Sequence, residues 1–304
     1  MTVPSRRREI LEQIADPLGS AAVTEVGQIC ELFAGELASY GEVIIAPGNE
    51  RAGLMIRGED ESFTSRVHSV MERWNMPEPG LHYHTVLAHL FEHRRAFFKM
   101  EWGGDGDRLV AFYFRRRPTV DRVIEQLGVQ GVADDVLDRV RQFARLLGKT
   151  TVHFVSAALR PGSAVYHKIY LSQWVTTDTA RAVAGRIERL LDAEGIGEGN
   201  RDIWSLYHNS LARPHLDSSL FVSISFTETA LLPWVKIDYP GIAPSIAAAL
   251  LAIDRQAGAE TEMRALTDRM GVDELSYLGV RLNRDQPITL KYYCDYAQDS
   301  GHGG

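Results

Sequence analysis

Along this chain the spacing of apolar residues switches repeatedly between a helical period and a strand period. From Ser20 to Ala38 (SAAVTEVGQICELFAGELA) they recur at helical spacing behind a serine suited to cap the helix. The next stretch, GEVIIAPGNERAGLMIRG, alternates apolar and polar residues and turns at Pro47, Gly48 and Asn49, which predicts a β-hairpin. The same succession continues, with helices predicted at about 6–15, 61–74, 83–93, 119–128, 133–147 and 178–194 and a helix pair over about 243–270. Between them lie AFFKMEWGGDGDRLVAFYF with a turn at Gly103–Gly106, the segment 151–172 turning at Pro161-Gly162, SSLFVSISFTETALLPWVKIDY, and LSYLGVRLNRDQPITLKYYCDY turning near Asn283–Gln286.

The unit is therefore helix, hairpin, helix, recurring about five times, and such an internal period decides the architecture. In VYHKIYL (165–171), Tyr166, Lys168 and Tyr170 share one strand face, and Val165, Ile169 and Leu171 the other. Val235, Ile237 and Tyr239 likewise alternate with Trp234, Lys236 and Asp238, and Leu278, Val280 and Leu282 with Tyr277, Gly279 and Arg281. Five sequential antiparallel hairpins lose their edges by closing. The expected fold is α/β (α+β): a closed ten-stranded antiparallel β-barrel of five hairpin repeats surrounded by a ring of helices. Helices cover the apolar face, and the polar face lines a wide lumen. A single domain over 1–297 and a disordered tail over 298–304, ending GHGG, are expected.

With 304 residues and 45% hydrophobic content the chain can bury a large core. A formal charge of −7 argues against a nucleic-acid or anionic-membrane partner. Two cysteines, Cys30 and Cys294, exclude a disulfide framework. MTVPSRRREILEQ has no apolar signal-like run, so a cytoplasmic, monomeric protein is expected.

The second strand of each hairpin carries a cation: Arg57, with Arg51 in phase, then Arg108, Lys168, Lys236 and Lys291. If these strands converge, several positive charges meet inside the barrel beside Tyr166, Tyr170 and Tyr293. Confined like charges are costly unless a polyanion compensates them. A diphosphate fits, since Arg and Lys neutralise it and tyrosine hydroxyls donate to its oxygens. His153, Ser223 and Trp234 complete the candidate binding positions on these hairpins. Glu42, inward with Ile44 at the start of the first strand, is a lone carboxylate suited to take a proton from an attacking aromatic ring.

Three other motifs compete. Asp134-Asp135-Val136-Leu137-Asp138 is a literal D-D-x-x-D, a magnesium-diphosphate pattern of all-helical folds; no partner cluster exists, and the aspartates are better read as starting the helix 133–147. His82, His84, His89 and His93 suggest zinc but lack a HExxH arrangement. GIGEGN (195–200) follows a helix and reads as a linker.

This order of elements resembles the ABBA-type aromatic prenyltransferases, whose PT barrel has ten antiparallel strands in five repeats. KIY at 168–170 is similar to the K-x-Y element of that family's diphosphate cage, and RLVAFYFRRRP at 108–118 to its second-repeat strand, with Arg108 at the lysine position. GEVIIAPGNER, LARPHLDSSLF and ITLKYY resemble the peptide-modifying, cyanobactin-type branch, where Glu42 falls at the acidic catalytic position. Tyr166 stands where fungal indole members carry Arg. The resemblance implies transfer of a dimethylallyl or geranyl group from its diphosphate to an aromatic acceptor, a Trp or Tyr peptide, an indole or a phenol. Mg²⁺ is compatible with this reading and no organic cofactor is implied. Two alternatives remain: a non-catalytic binder of a hydrophobic phosphate or diphosphate, and a different phosphate-handling enzyme on another α+β fold.

Overall fold

A computed structural model describes residues 3–39, 41–46, 51–58, 61–76, 96–114, 117–196, 218–242, 261, 275–284 and 289–295. The helix expected at 83–93, the four histidines, the turn at 47–49, most of GIGEGN, nearly all of the 243–270 helix pair and the tail 298–304 lie outside the described residues.

The strands are β1 (Gly41–Ala46), β2 (Arg51–Gly58), β3 (Ala96–Gly103), β4 (Arg108–Phe114), β5 (Phe154–Leu159), β6 (Tyr166–Val175), β7 (Ser218–Phe226), β8 (Leu231–Ile242), β9 (Leu275–Asn283) and β10 (Thr289–Asp295). They close in the order β1-β10-β9-β8-β7-β6-β5-β4-β3-β2. The expected ten-stranded antiparallel barrel is therefore the fold. The described helices are α1 (Val3–Ala15), α2 (Ser20–Leu32), α3 (Ala34–Ser39), α4 (Glu61–Arg73), α5 (Val120–Val129), α6 (Asp134–Leu146) and α7 (Ala180–Ala193). The stretch 20–38, read as one helix, is two, interrupted at Phe33. Asp134 and Asp135 occupy the first turn of α6, where the helix dipole favours carboxylates, and Asp138 pairs with Arg141.

The chain forms two compact units: Met1–Arg115 with Ser156–Val165 and Lys291–Gly304, and Arg116–Val155 with Tyr166–Leu290. In the first, helices cover one face of β2 and β3. Phe98 stacks on Phe112 with ring centroids 5.3 Å apart and meets Phe33 at 6.2 Å, while Trp102 meets Trp74 edge-on at 5.6 Å. Alternation places Phe98, Met100 and Trp102 on this helix side and Lys99 and Glu101 on the opposite, inner face. In the second unit Val235, Ile237, Tyr239, Leu278, Val280 and Leu282 are all buried on the helix side. His167 belongs to that side as well, stacked on Phe226 at 5.4 Å, and burial pushes its imidazole down to about 4. Gln173 of β6 donates from Nε2 to the Leu147 carbonyl and ties β6 to the end of α6.

Candidate functional site

The inner-facing residues of the first unit follow from strand register. Glu42 pairs with Met55, and Met55 with Lys99; one step along, Tyr293 pairs with Ile44, Ile44 with Gly53, and Gly53 with Glu101. Glu42, Tyr293, Lys99 and Glu101 thus share one face, with Glu42 and Glu101 both buried. Glu101 is the centre of this face. Lys99 Nζ donates to it at 2.7 Å, Lys291 Nζ also donates to it, and Arg51 Nη1 stands 3.9 Å away. Burial alone raises the pKa of this carboxyl, but the two lysine charges and their hydrogen bonds outweigh that and hold it well below the usual carboxylate value. Gly53 makes room: a Cβ there would lie 3.1 Å from Glu101 Cγ and 3.0 Å from the Met100 carbonyl oxygen. Arg51 also pairs with Asp107, which accepts from Arg160 at 3.0 Å. Arg57, in phase with Arg51, pairs with Phe97 and is half-buried.

In the second unit one row of paired positions runs Tyr170, Ser223, Lys236, Arg281 across β6 to β9. Neighbouring strands lie about 4.8 Å apart, so these side chains project side by side. Lys168 pairs with Ser225, and its ammonium lies 5.7 Å from the Tyr166 ring centre. Arg281 stacks over the Trp234 ring at 4.7 Å. Lys236 pairs with Asp238, and the pair lies over Gly279, where a Cβ would sit 2.6 Å from Asp238 Oδ1 and from Lys236 Cε. The Ser223 hydroxyl is buried and has no hydrogen-bond partner among the described residues. His153, whose backbone N–H donates to the Tyr170 carbonyl, packs against Phe154 and Phe221 at 4.6 and 4.7 Å. Phe154 meets Tyr170 at 6.0 Å, and Phe221 meets Tyr277 at 5.7 Å, which completes an aromatic patch.

Two expectations need correction. Arg108 is not on the inner face: it pairs in register with Trp102, donates from Nε to Glu25 of α2 at 2.8 Å and lies 5.9 Å from the Trp74 ring. The second repeat's inner cation is Lys99, on the first strand of its hairpin. Nor is Glu42 a lone carboxylate among inner cations, because Glu101 pairs with Lys99 and Lys291, and Asp238 pairs with Lys236. The signals were available in AFFKMEW and WVKIDY, where a lysine and a carboxylate two residues apart share a strand face. Of the chain's five lysines, Lys99, Lys168, Lys236 and Lys291 are all buried on these strands. Lysine is rarely buried without a compensating charge, and Glu101 and Asp238 supply one for Lys99, Lys291 and Lys236.

Solved structures share this fold. The 5-dimethylallyltryptophan synthase from Streptomyces coelicolor matches at 15% identity over 97% of this chain and 97% of its own, with a TM-score of 0.65. The prenyltransferase PriB, in its apo form, matches at 17% identity over 97% and 96%, TM-score 0.67. NotF in complex with brevianamide F and DMSPP matches at 13% identity over 97% and 95%, TM-score 0.69. The fold is the PT barrel of the aromatic prenyltransferases. No protein-family profile matches the chain, and no curated protein matches it by sequence. Among the described residues no helix is long and apolar enough to cross a membrane.

Proposed function

We propose that the protein is an aromatic prenyltransferase, taking a dimethylallyl or geranyl diphosphate as donor. The observation that carries this reading is the burial of Lys99, Lys168, Lys236 and Lys291 on inward strand positions of a PT barrel. Support comes from structures of the same fold described with dimethylallyl thiolodiphosphate and L-tryptophan, and with DMSPP and brevianamide F.

In the proposed reaction the allylic C–O bond breaks heterolytically and its electron pair leaves with the diphosphate. Lys168, Lys236, Tyr170 and the buried hydroxyl of Ser223 stabilise that leaving charge. Phe154, Phe221 and Tyr277 offer ring faces to the allyl cation and exclude water from it. The electron-rich acceptor ring then forms the new C–C bond, and Glu42 takes the ring proton. The acceptor is an indole, a phenol or a Trp or Tyr peptide. A monomeric, cytoplasmic enzyme forming one functional domain completes the proposal, and Mg²⁺ is compatible with it. Incubation with each diphosphate and a panel of these acceptors, read by mass, tests it. A prenylated product with matching diphosphate release is expected, and no adduct and no release from any donor would sink it.

A further inference from the structure

Of the large apolar side chains exposed among the described residues, Leu32 and Val129 end helices, and Trp174, 55% exposed, stands on a strand. Single apolar residues on a surface are ordinary, so position decides what this one means. We infer that Trp174 is a specificity-determining residue, seating the body of the acceptor beyond its reacting ring. That body is uncharged, as in a tryptophan or tyrosine within a peptide rather than a free amino acid; this rests on the proposed aromatic acceptor and selects among its forms.

Alternation along β6 puts Trp174 on the face of Tyr170 and Ser172, opposite Gln173 and Val175, which are buried on the helix side. This inner face opens along the strand. At the level proposed for the leaving group, Tyr170, Ser223 and Lys236 are 5%, 1% and 6% exposed. At the next level outward Ser172 and its partner Phe221 are half-buried, and beyond them Trp174 stands in solvent beside half-buried Ser219. Tyr170 and Trp174 lie about 13 Å apart along the strand. An acceptor ring lying against Phe221 and Tyr277 in that interval brings its main chain to the level of Trp174. The backbone carrying the indole is fixed. Trp174 pairs with Ser219, its carbonyl accepts from Thr179 Oγ1 at 3.3 Å, and Thr176 and Thr179 exchange N–H···Oγ1 bonds of 2.8 and 3.2 Å. Among the described residues the indole itself makes no ring contact and no hydrogen bond, which leaves it open to a ligand.

The chemistry of this level selects the acceptor. On β6 to β9 the inner positions outward of Lys236 carry one charge, Asp238, and Lys236 already pairs with it. The outermost are Trp174, Ser219, Pro240 and Tyr277. A free amino acid would bring its carboxylate to this rim, where these strands place no cation, and a charge half removed from water without a partner is costly. A peptide brings amides, which the hydroxyls of Ser172 and Ser219 can meet, and a neighbouring side chain, to which Trp174 offers apolar area.

Calorimetry on the full chain, with dimethylallyl thiolodiphosphate present so that no turnover is needed, tests this. Acetylated and amidated tripeptides with tryptophan or tyrosine between two leucines are compared with free L-tryptophan and L-tyrosine. One peptide should bind wild type at least about tenfold more tightly than its free amino acid, and lose about tenfold in Trp174→Ala, as expected for one aromatic contact. Trp174→Phe should recover part of that loss. The thiolodiphosphate, bound at the deeper level, should bind wild type and Trp174→Ala alike, which also reports that the variant is folded. Equal affinity of wild type for peptide and free amino acid, a peptide affinity unmoved by Trp174→Ala, or no binding of either peptide overturns the inference. Peptide binding that depends on Trp174 in a protein that binds no thiolodiphosphate sustains the acceptor platform and overturns the proposed donor. Thiolodiphosphate binding without any dependence of the peptides on Trp174 does the reverse.

Discussion

Replacing Gly279 with alanine tests whether the Lys236–Asp238 pair matters for both stability and ligand binding. The new Cβ would lie 2.6 Å from Asp238 Oδ1 and Lys236 Cε and 2.8 Å from Lys236 Nζ. Ordinary contact begins near 3.4 Å, so these atoms must retreat by about 1 Å on a closely packed face. Lys236 is long and can bend away, whereas Asp238 is short and anchored on the same strand. The two therefore separate. Fully orphaning a buried charge costs about 3–5 kcal/mol, but both partners remain and only their geometry suffers. Overpacking of this kind typically costs about 1–3 kcal/mol, and we expect about 2 kcal/mol in urea unfolding followed by tryptophan fluorescence. Lys236 also leaves the row it shares with Tyr170 and Ser223, so inorganic diphosphate should bind about tenfold more weakly, the loss of one ordinary charge-assisted contact. Stability within about 0.5 kcal/mol of wild type, with unchanged diphosphate affinity, would refute the reasoning.

Other perturbations separate the two strand faces. Arg108→Ala should lower stability by about 1–3 kcal/mol, through loss of its bond to Glu25, while leaving donor affinity intact; a large affinity loss would return Arg108 to the inner face. Glu42→Gln should retain donor binding and lose turnover, with single-turnover product formation as the readout; an undiminished rate removes Glu42 as the proton acceptor. His167, pushed by burial from the ordinary histidine value of 6.5 down to about 4 in the folded chain, makes the unfolded chain the better proton binder between those values. Its contribution is complete above about pH 6.5 and is lost as pH falls towards 4, amounting to about 3 kcal/mol, and His167→Phe should flatten unfolding free energy over that window. Burial pushes the Cys294 thiol up to about 12, so iodoacetamide at about pH 8 should leave it unmodified until denaturant is added.

How far the chain could be read before folding depended on which physical signal each feature leaves. Strand and helix order was legible because a period of two and a period of 3.6 are local, and even the alternation of Val235, Ile237 and Tyr239 against Lys236 is fixed by the pleat. Barrel closure followed from edge avoidance. Arg108 was misplaced because the first residue of a strand has no neighbours to fix its phase, and its acid, Glu25, comes from a helix 83 residues earlier. Glu101 was missed for a related reason. Its meaning lies in Lys291, 190 residues away, and in Gly53, whose absent side chain leaves no hydrophobic signal. Asp238 was visible in the alternation but was taken as one more polar residue, since the sequence cannot tell a solvated carboxylate from a seated one.

The central claim is that Lys168 and Lys236 receive the diphosphate of an allylic donor. Calorimetric titration of dimethylallyl thiolodiphosphate into wild type and Lys168→Ala tests it most directly. Lys168 is buried beside Tyr166 and two residues from Tyr170, so it is the cation to remove. One molecule should bind per wild-type chain, and binding should weaken about 10- to 100-fold in the variant, the equivalent of about 1.5–3 kcal/mol for a hydrogen bond to a charged group. Equal affinity for the two proteins, or no binding by either, would contradict the account.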